Sequence, residues 1–120
     1  MTKILIADDS AFMRKIVTDV LKKAGYTNIV EASNADEAIE KYKKEKPDMA
    51  LLDIIMGEKD GVTALKEILV FDKKAKVVML TAVGQETIIK DAQKAGCKGY
   101  IIKPFKEESV IKTVKEILAK

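Results

Sequence analysis

The chain has 120 residues, with 22 Lys and Arg against 19 Asp and Glu, a net charge of +3 that is too mild to mark nucleic acid as its main partner. It has no His and a single Cys, Cys97, which excludes histidine bases, histidine-centred triads, a phosphohistidine on the chain itself, an internal disulfide and a cysteine-cluster zinc site. No apolar run approaches the ~18 residues of a membrane span, and Asp8 and Asp9 interrupt the first apolar stretch before it can act as a signal peptide. The expectation is one soluble cytoplasmic domain, long enough to bury its own core.

Apolar runs of strand type alternate with helical periods along the whole chain. Lys3 to Ala7 reads as a buried strand. Phe12, Met13, Ile16, Val17, Val20, Leu21 and Ala24 then recur at helical spacing, and Gly25 supplies the stop. Ile29 to Ser33 is the second strand. Asn34 is an N-cap for a helix with Ala35, Ala38, Ile39 and Tyr42 inward, ended by Pro47-Asp48. Met49 to Leu52 is the third strand, Gly57 to Gly61 a loop, and Val62, Leu65, Ile68 and Leu69 the apolar stripe of the third helix. Lys76 to Thr81 is the fourth strand. A weaker helix follows, with Ile88, Ala92 and Ala95 on one face and Gly96 at its end. Gly99 to Lys103 is the fifth strand, closed by Pro104, and Val110, Val114, Ile117 and Leu118 mark the last helix. Five βα units with strands buried on both faces predict an α/β, doubly wound domain with a parallel sheet.

Charge is distributed unevenly. Residues 1–60 carry 10 basic and 12 acidic groups and residues 61–120 carry 12 and 7, a net of −2 against +5. The basic set is 21 Lys and one Arg, Arg14, which speaks against base-specific DNA contacts, where two-pronged Arg recognition is favoured.

In open α/β sheets ligands sit beyond the carboxyl ends of the strands. Those ends carry Asp8, Asp9 and Ser10 after the first strand, Asp53 at the third, Thr81 and Ala82 at the fourth, and Lys103 and Pro104 at the fifth. Taken singly, each has a structural explanation: Asp8-Asp9-Ser10 a helix cap, Asp53 a turn residue, Thr81 a strand residue, Lys103 a surface lysine. Taken together, three carboxylates, a hydroxyl and an ammonium converge on one rim. Adjacent carboxylates repel and resist ionisation unless a cation neutralises them. Oxygen ligands without His or Cys point to Mg²⁺.

Asp8-Asp9, Asp53, Thr81-Ala82 and Lys103-Pro104 stand in the order and context of the receiver domains of two-component response regulators, which the chain resembles from Lys3 to its last helix. Asp9-Ser10-Ala11-Phe12-Met13-Arg14 and Thr81-Ala82-Val83-Gly84-Gln85 look like the CheY-like chemotaxis members. The resemblance implies a flavodoxin-like (βα)5 fold with strand order 2-1-3-4-5, one receiver domain over residues 1–120 and no output domain. It implies that Asp53 is the phosphoacceptor for a CheA-like sensor histidine kinase. Asp9, Asp53 and the backbone carbonyl of Ile55 would bind Mg²⁺ directly and Asp8 through water. Lys103 and Thr81 would hold phosphoryl oxygens, beside the small Ala82, and Tyr100 would change rotamer in response. The output surface would be the fourth helix, fifth strand and fifth helix, in the basic half of the chain. An acidic or amphipathic segment of a motor switch or motor-adaptor protein would meet it near Lys90 and Lys94. The chain would be a monomer and a phosphorylated signalling protein rather than an enzyme with its own substrate, acting without nucleic acid or membrane.

Three features depart from or refine the family pattern. Gly57 stands after Met56 where the family often has proline. Ile55 and Val83, each two residues beyond a site residue, are apolar and imply slow attack of water on the acyl phosphate. Lys103–Pro104 is expected to be cis. The rival readings are a receiver of another phosphorelay, a flavodoxin-like carrier and an aspartate-nucleophile phosphatase. The carrier lacks a Ser/Thr/Gly-rich phosphate loop after the first strand. The phosphatase would need a second Asp where Ser10 stands.

Overall fold

The computed structural model describes residues 2–57 and 59–120. They form β1 (Lys3–Ala7), α1 (Ala11–Lys23), β2 (Asn28–Ala32), α2 (Ala35–Glu45), β3 (Met49–Asp53), α3 (Gly61–Phe71), β4 (Val77–Ala82), α4 (Glu86–Ala95), β5 (Gly99–Lys103) and α5 (Glu107–Leu118). All strand pairings are parallel and the sheet order is β2-β1-β3-β4-β5, as the resemblance implied. Glu58, within the loop expected over 57–61, lies outside the described residues.

The alternation of side chains along each strand builds two cores. Ile4, Ile6, Met49, Leu51, Val78, Leu80 and Ile101 face α1 and α5, where Val17, Leu21, Val110, Val114 and Ile117 meet them. Leu5, Ala7, Ala50, Leu52, Val77 and Met79 face α2, α3 and α4. Strands apolar on both faces are what a parallel sheet covered by crossover helices requires.

The helix ends follow the cap chemistry. Ser10 Oγ accepts from the Met13 amide at 3.2 Å, Asn34 Oδ1 from Glu37 at 2.8 Å and Asp60 Oδ1 from Thr63 at 2.8 Å. α3 therefore begins at Gly61, the residue expected to close the preceding loop. β2 and β4 are each displaced by one residue from the expected span, and β3 runs on to include Asp53. On α4 the deepest residues are Ile89 and Ala92, while Ile88 and Ala95 are half-buried. The helix sits in the corner between the sheet and α3, so Ile88 and Ala95 turn toward a cleft beside α3 instead. Leu69 and Leu118 are likewise half-buried.

Two glycines shape the loop that carries the site. Gly57 has φ +67°, a value proline cannot reach, so the loop takes a path closed to the residue often found there in the family. Gly61 donates its amide to the Ile54 carbonyl at 2.6 Å, and a Cβ on it would fall 2.1 Å from the Asp53 carbonyl oxygen. Backbone cannot yield there as a flexible side chain could. Gly61→Ala is expected to destabilise the protein by about 2–3 kcal/mol, read as a lower urea midpoint with an unchanged slope.

Candidate functional site

Strand parity explains which side chains meet. Asp8, Asp53 and Lys103 share the phase of Ile6, Leu51 and Ile101, so all three emerge on the α1/α5 side at the carboxyl rim. Lys103 Nζ lies 3.0 Å from Asp53 Oδ2 and 3.3 Å from Asp8 Oδ2. Oxygens of Asp8, Asp9 and Asp53 all fall within 4.8 Å of one another. Asp8 and Asp53 are buried and Asp9 is exposed.

The surroundings complete this geometry. Asp8 Oδ1 accepts the Ser10 amide at 2.9 Å, and Asp53 Oδ1 accepts the Ile55 amide at 3.3 Å, which sets the Ile55 backbone beside the carboxylate. Ser10 thus caps α1 while Asp8 belongs to the acidic cluster, so the cap and the site coexist. Arg14 donates from Nη1 to the Asp8 carbonyl at 2.6 Å and from Nε to Glu31 at 3.0 Å, tying the end of β1 to β2. Lys59 bridges Asp36 at 2.7 Å and Glu67 at 3.3 Å, fastening the β3–α3 loop to the helices on either side. Lys103–Pro104 is cis, as expected.

Burial pushes the Asp53 carboxyl above its ordinary value. The Lys103 hydrogen bond opposes that shift and the charge of Asp8 adds to it. Burial alone would lower the Lys103 ammonium, but its hydrogen bond to Asp53 and the two neighbouring carboxylates hold it above its ordinary value. One ammonium faces three acids, so the cluster remains short of positive charge. Its donors are all oxygens and their spacing suits a small divalent cation, so the residues present fit the Mg²⁺ that the resemblance implies.

Thr81 reaches the rim but its hydroxyl does not join the carboxylates. It has the phase of Val77 and Met79, toward α4, and donates to Gln85 Oε1 at 2.8 Å. Ala82, next along, is exposed and small. Tyr100 lies on the same face of the neighbouring strand, diagonal to Thr81 across the Thr81–Ile102 pairing. It is 43% exposed because β5 is an edge strand and α4 covers it incompletely. Thr81, Gln85, Lys90, Tyr100 and Ile102 line the resulting groove of about 280 Å³. Lys94 borders the cleft beside α3 instead, so the two lysines expected to act on one surface flank different grooves. Ile55 and Val83 are open to solvent, at 54% and 81%.

The match to known proteins spans this whole arrangement. The family model described as the response regulator receiver domain matches residues 4–115. The chain belongs to the response regulator receiver family. It is a CheY-like signalling domain. It is 45% identical over 116 residues to the chemotaxis protein CheY of Bacillus subtilis (strain 168), covering 97% of each chain. The corresponding protein of Thermotoga maritima is 44% identical over 96% of each chain. Among solved structures, the CheX–CheY–BeF3–Mg²⁺ complex from Borrelia burgdorferi contains a chain superimposing with a TM-score of 0.93 at 37% identity, covering 99% of this receiver and 90% of that chain.

Arg14, Lys59, Gly61 and Gln85 were not among the residues read from sequence as parts of the site. Arg14 did carry a signal, being the one arginine among 22 basic residues. Gln85 stood in the stretch that resembles the family and Gly61 at the end of the expected loop, but the contacts of these two and of Lys59 are visible only once the loops are folded.

A pH dependence follows from the Asp53 shift. A carboxyl raised above its unfolded value binds its proton more tightly in the native state. Native stability therefore falls as pH rises from the ordinary carboxylate range through the raised value. Asp53→Asn removes that loss. In metal-free buffer the variant is expected to be more stable than the parent at neutral pH, with the gap closing on acidification. Added Mg²⁺ should stabilise the parent and leave the variant nearly unchanged. Urea titrations at several pH values, with EDTA or Mg²⁺, measure both effects.

Proposed function

We propose that Asp53 is the phosphoacceptor of this receiver, and that the chain relays a Mg²⁺-dependent phosphoryl signal in chemotaxis or motility. The observation that carries the reading is the cluster itself: a buried, partly compensated carboxylate at a strand end, 3.0 Å from a lysine and flanked by two further acids. Phosphoryl transfer depends on positioning and charge neutralisation, and this site supplies both.

An Asp53 oxygen attacks the phosphorus of a phosphohistidine. The P–N bond breaks, the P–O bond of an acyl phosphate forms, and the imidazole departs with the donor. The histidine must come from a partner, since the chain has none. Asp9, Asp53 and the Ile55 carbonyl would hold the cation, and Asp8 would act through water. Mg²⁺ bound there supplies charge neutralisation for the incoming phosphoryl oxygens. Lys103 leaves Asp53 Oδ2 to pair with a phosphoryl oxygen. Thr81 donates to another, and the small Ala82 leaves room beside it. The receiver promotes its own phosphorylation in this sense but has no further substrate.

The move of Thr81 opens space beside Tyr100, whose ring turns inward and reshapes the α4–β5–α5 surface. A motor switch or motor-adaptor protein would dock there, with a CheA-like kinase as donor. The names of the relatives support that assignment, as does the presence of BeF3 and Mg²⁺ with CheY in the Borrelia burgdorferi complex. Among the described residues no helix is long and apolar enough to cross a membrane. We place the receiver in the cytoplasm as a monomer, with residues 1–120 forming one domain.

Incubation with Mg²⁺ and acetyl phosphate should add one labile phosphoryl group, seen by mass spectrometry in the parent and absent in Asp53→Asn. Labelling that survives the substitution would overturn the assignment. Ile55 and Val83, both apolar and open to solvent, flank the approach of water. Ile55→Asn with Val83→Glu is expected to speed loss of the phosphoryl group several-fold, followed as decay of the labelled species after donor removal. An unchanged decay rate would refute the gating role.

A further inference from the structure

Gln85 occupies the N-cap position of α4, where Ser, Thr, Asp and Asn are favoured. Its side chain makes no cap bond to the helix it precedes. It turns back instead, and Oε1 accepts both the Thr81 hydroxyl at 2.8 Å and the Ala82 amide at 2.7 Å. Thr81 is only 3% exposed, so water is a poor substitute for this acceptor. The remaining contact of the hydroxyl, to the Ala82 carbonyl, is long at 3.3 Å. A threonine hydroxyl carries one proton and can make one strong donation at a time.

We propose that Gln85 is the latch of the resting receiver: its side-chain carbonyl holds the Thr81 hydroxyl and competes with the phosphoryl group for that single proton. This inference deepens the reading of Asp53 and Thr81 given above and rests on it. The amide anchor at Ala82 persists when Thr81 leaves, so Gln85 stays in place while it yields the hydroxyl. Gln85 also lines the groove that holds Tyr100. Release of Thr81 is thereby a change in the wall of the docking surface itself. Gln85 is a positioning residue, acting on the phosphoryl group only through Thr81.

Removing the latch takes a hydrogen bond from the resting state and nothing from the state in which Thr81 is turned to the phosphoryl group. Gln85→Ala should therefore bind the phosphoryl mimic BeF3⁻, in the presence of Mg²⁺, about fivefold more tightly than the parent. A mere structural role in starting α4 would lower stability without tightening the mimic. In a Thr81→Val background the same substitution should leave affinity unchanged, since no hydroxyl remains to be held. Equal or weaker binding by Gln85→Ala, or an effect that persists without the Thr81 hydroxyl, would overturn the proposal. The hydrogen bond is also measured without any mimic. The Thr81 methyl resonance of the metal-free protein should move on Gln85→Ala, and a resonance that stays in place would overturn the latch. If the parent itself failed to bind BeF3⁻, the assignment of Asp53 would fall, while the methyl comparison would still decide whether Gln85 holds Thr81.

Discussion

The structure turns on the cost of placing two buried carboxylates, Asp8 and Asp53, side by side with an exposed third, Asp9, and a single lysine between the two buried ones. Desolvation and like-charge repulsion both work against this arrangement. It persists because the strands beneath it are rigid: residues 4–7, 49–52 and 77–80 are buried on both faces, and the carboxylates project from the ends of that slab. Fixed parity puts Asp8, Asp53 and Lys103 on the same side of the sheet. The cluster of oxygens remains short of positive charge, and its spacing suits a small divalent cation.

The same parity separates Asp53 from the side chains of the groove beside α4. Thr81, Tyr100 and Ile102 face α4, across the sheet from the lysine and the acids. Thr81 sits one residue beyond the pairing of Asp53 with Leu80, near the acids yet packed with the opposite face of the sheet. Tyr100 lies on the edge strand β5 and keeps 43% of its surface exposed. Arg14 and Lys59 fasten the segments that follow the first and third strands.

What could be read from the chain before folding was what is encoded locally. Strand runs, helical periods and the caps Asn34 and Ser10 depend on near neighbours, and the folded element order agrees with them. The site residues were legible because a parallel sheet sends every strand's carboxyl end to one rim, so a list of strand ends is already a list of neighbours. Register finer than a residue or two was not legible on α4, because Ile88, Ile89, Ala92 and Ala95 are all apolar and the corner against α3 decides which of them sinks deepest. Lys90 and Lys94 read as one patch for a similar reason: helical spacing unites them, while the grooves on either side of the helix divide them. Gly61 closes an expected loop and Gln85 ends the stretch Thr81-Ala82-Val83-Gly84-Gln85 that resembles the family, but neither position reveals its contacts in the sequence. The first matters through an approach to the Asp53 carbonyl, the second through a backward turn of its side chain, and both are properties of the folded loops.

Magnitudes suggest why a single latch bond suffices. Carrying a two-state equilibrium from about 1:99 to 99:1 takes about 5.5 kcal/mol of differential binding. Hydrogen bonds to a charged group contribute roughly 1.5–3 kcal/mol each, but Lys103 already donates to Asp53 and Asp8, so its bond to a phosphoryl oxygen is an exchange and the new donation comes from Thr81. A neutral bond such as that from Thr81 to Gln85 contributes about 1 kcal/mol net. It disfavours the released state of Thr81 about fivefold and is weak enough that phosphorylation overrides it. A carboxylate at position 85 would hold the same hydroxyl by a charge-assisted bond of the size phosphorylation offers, and the two states would then differ too little for the phosphoryl group to choose between them. The neutral amide at this position is thus the side chain whose grip matches the signal it has to yield to.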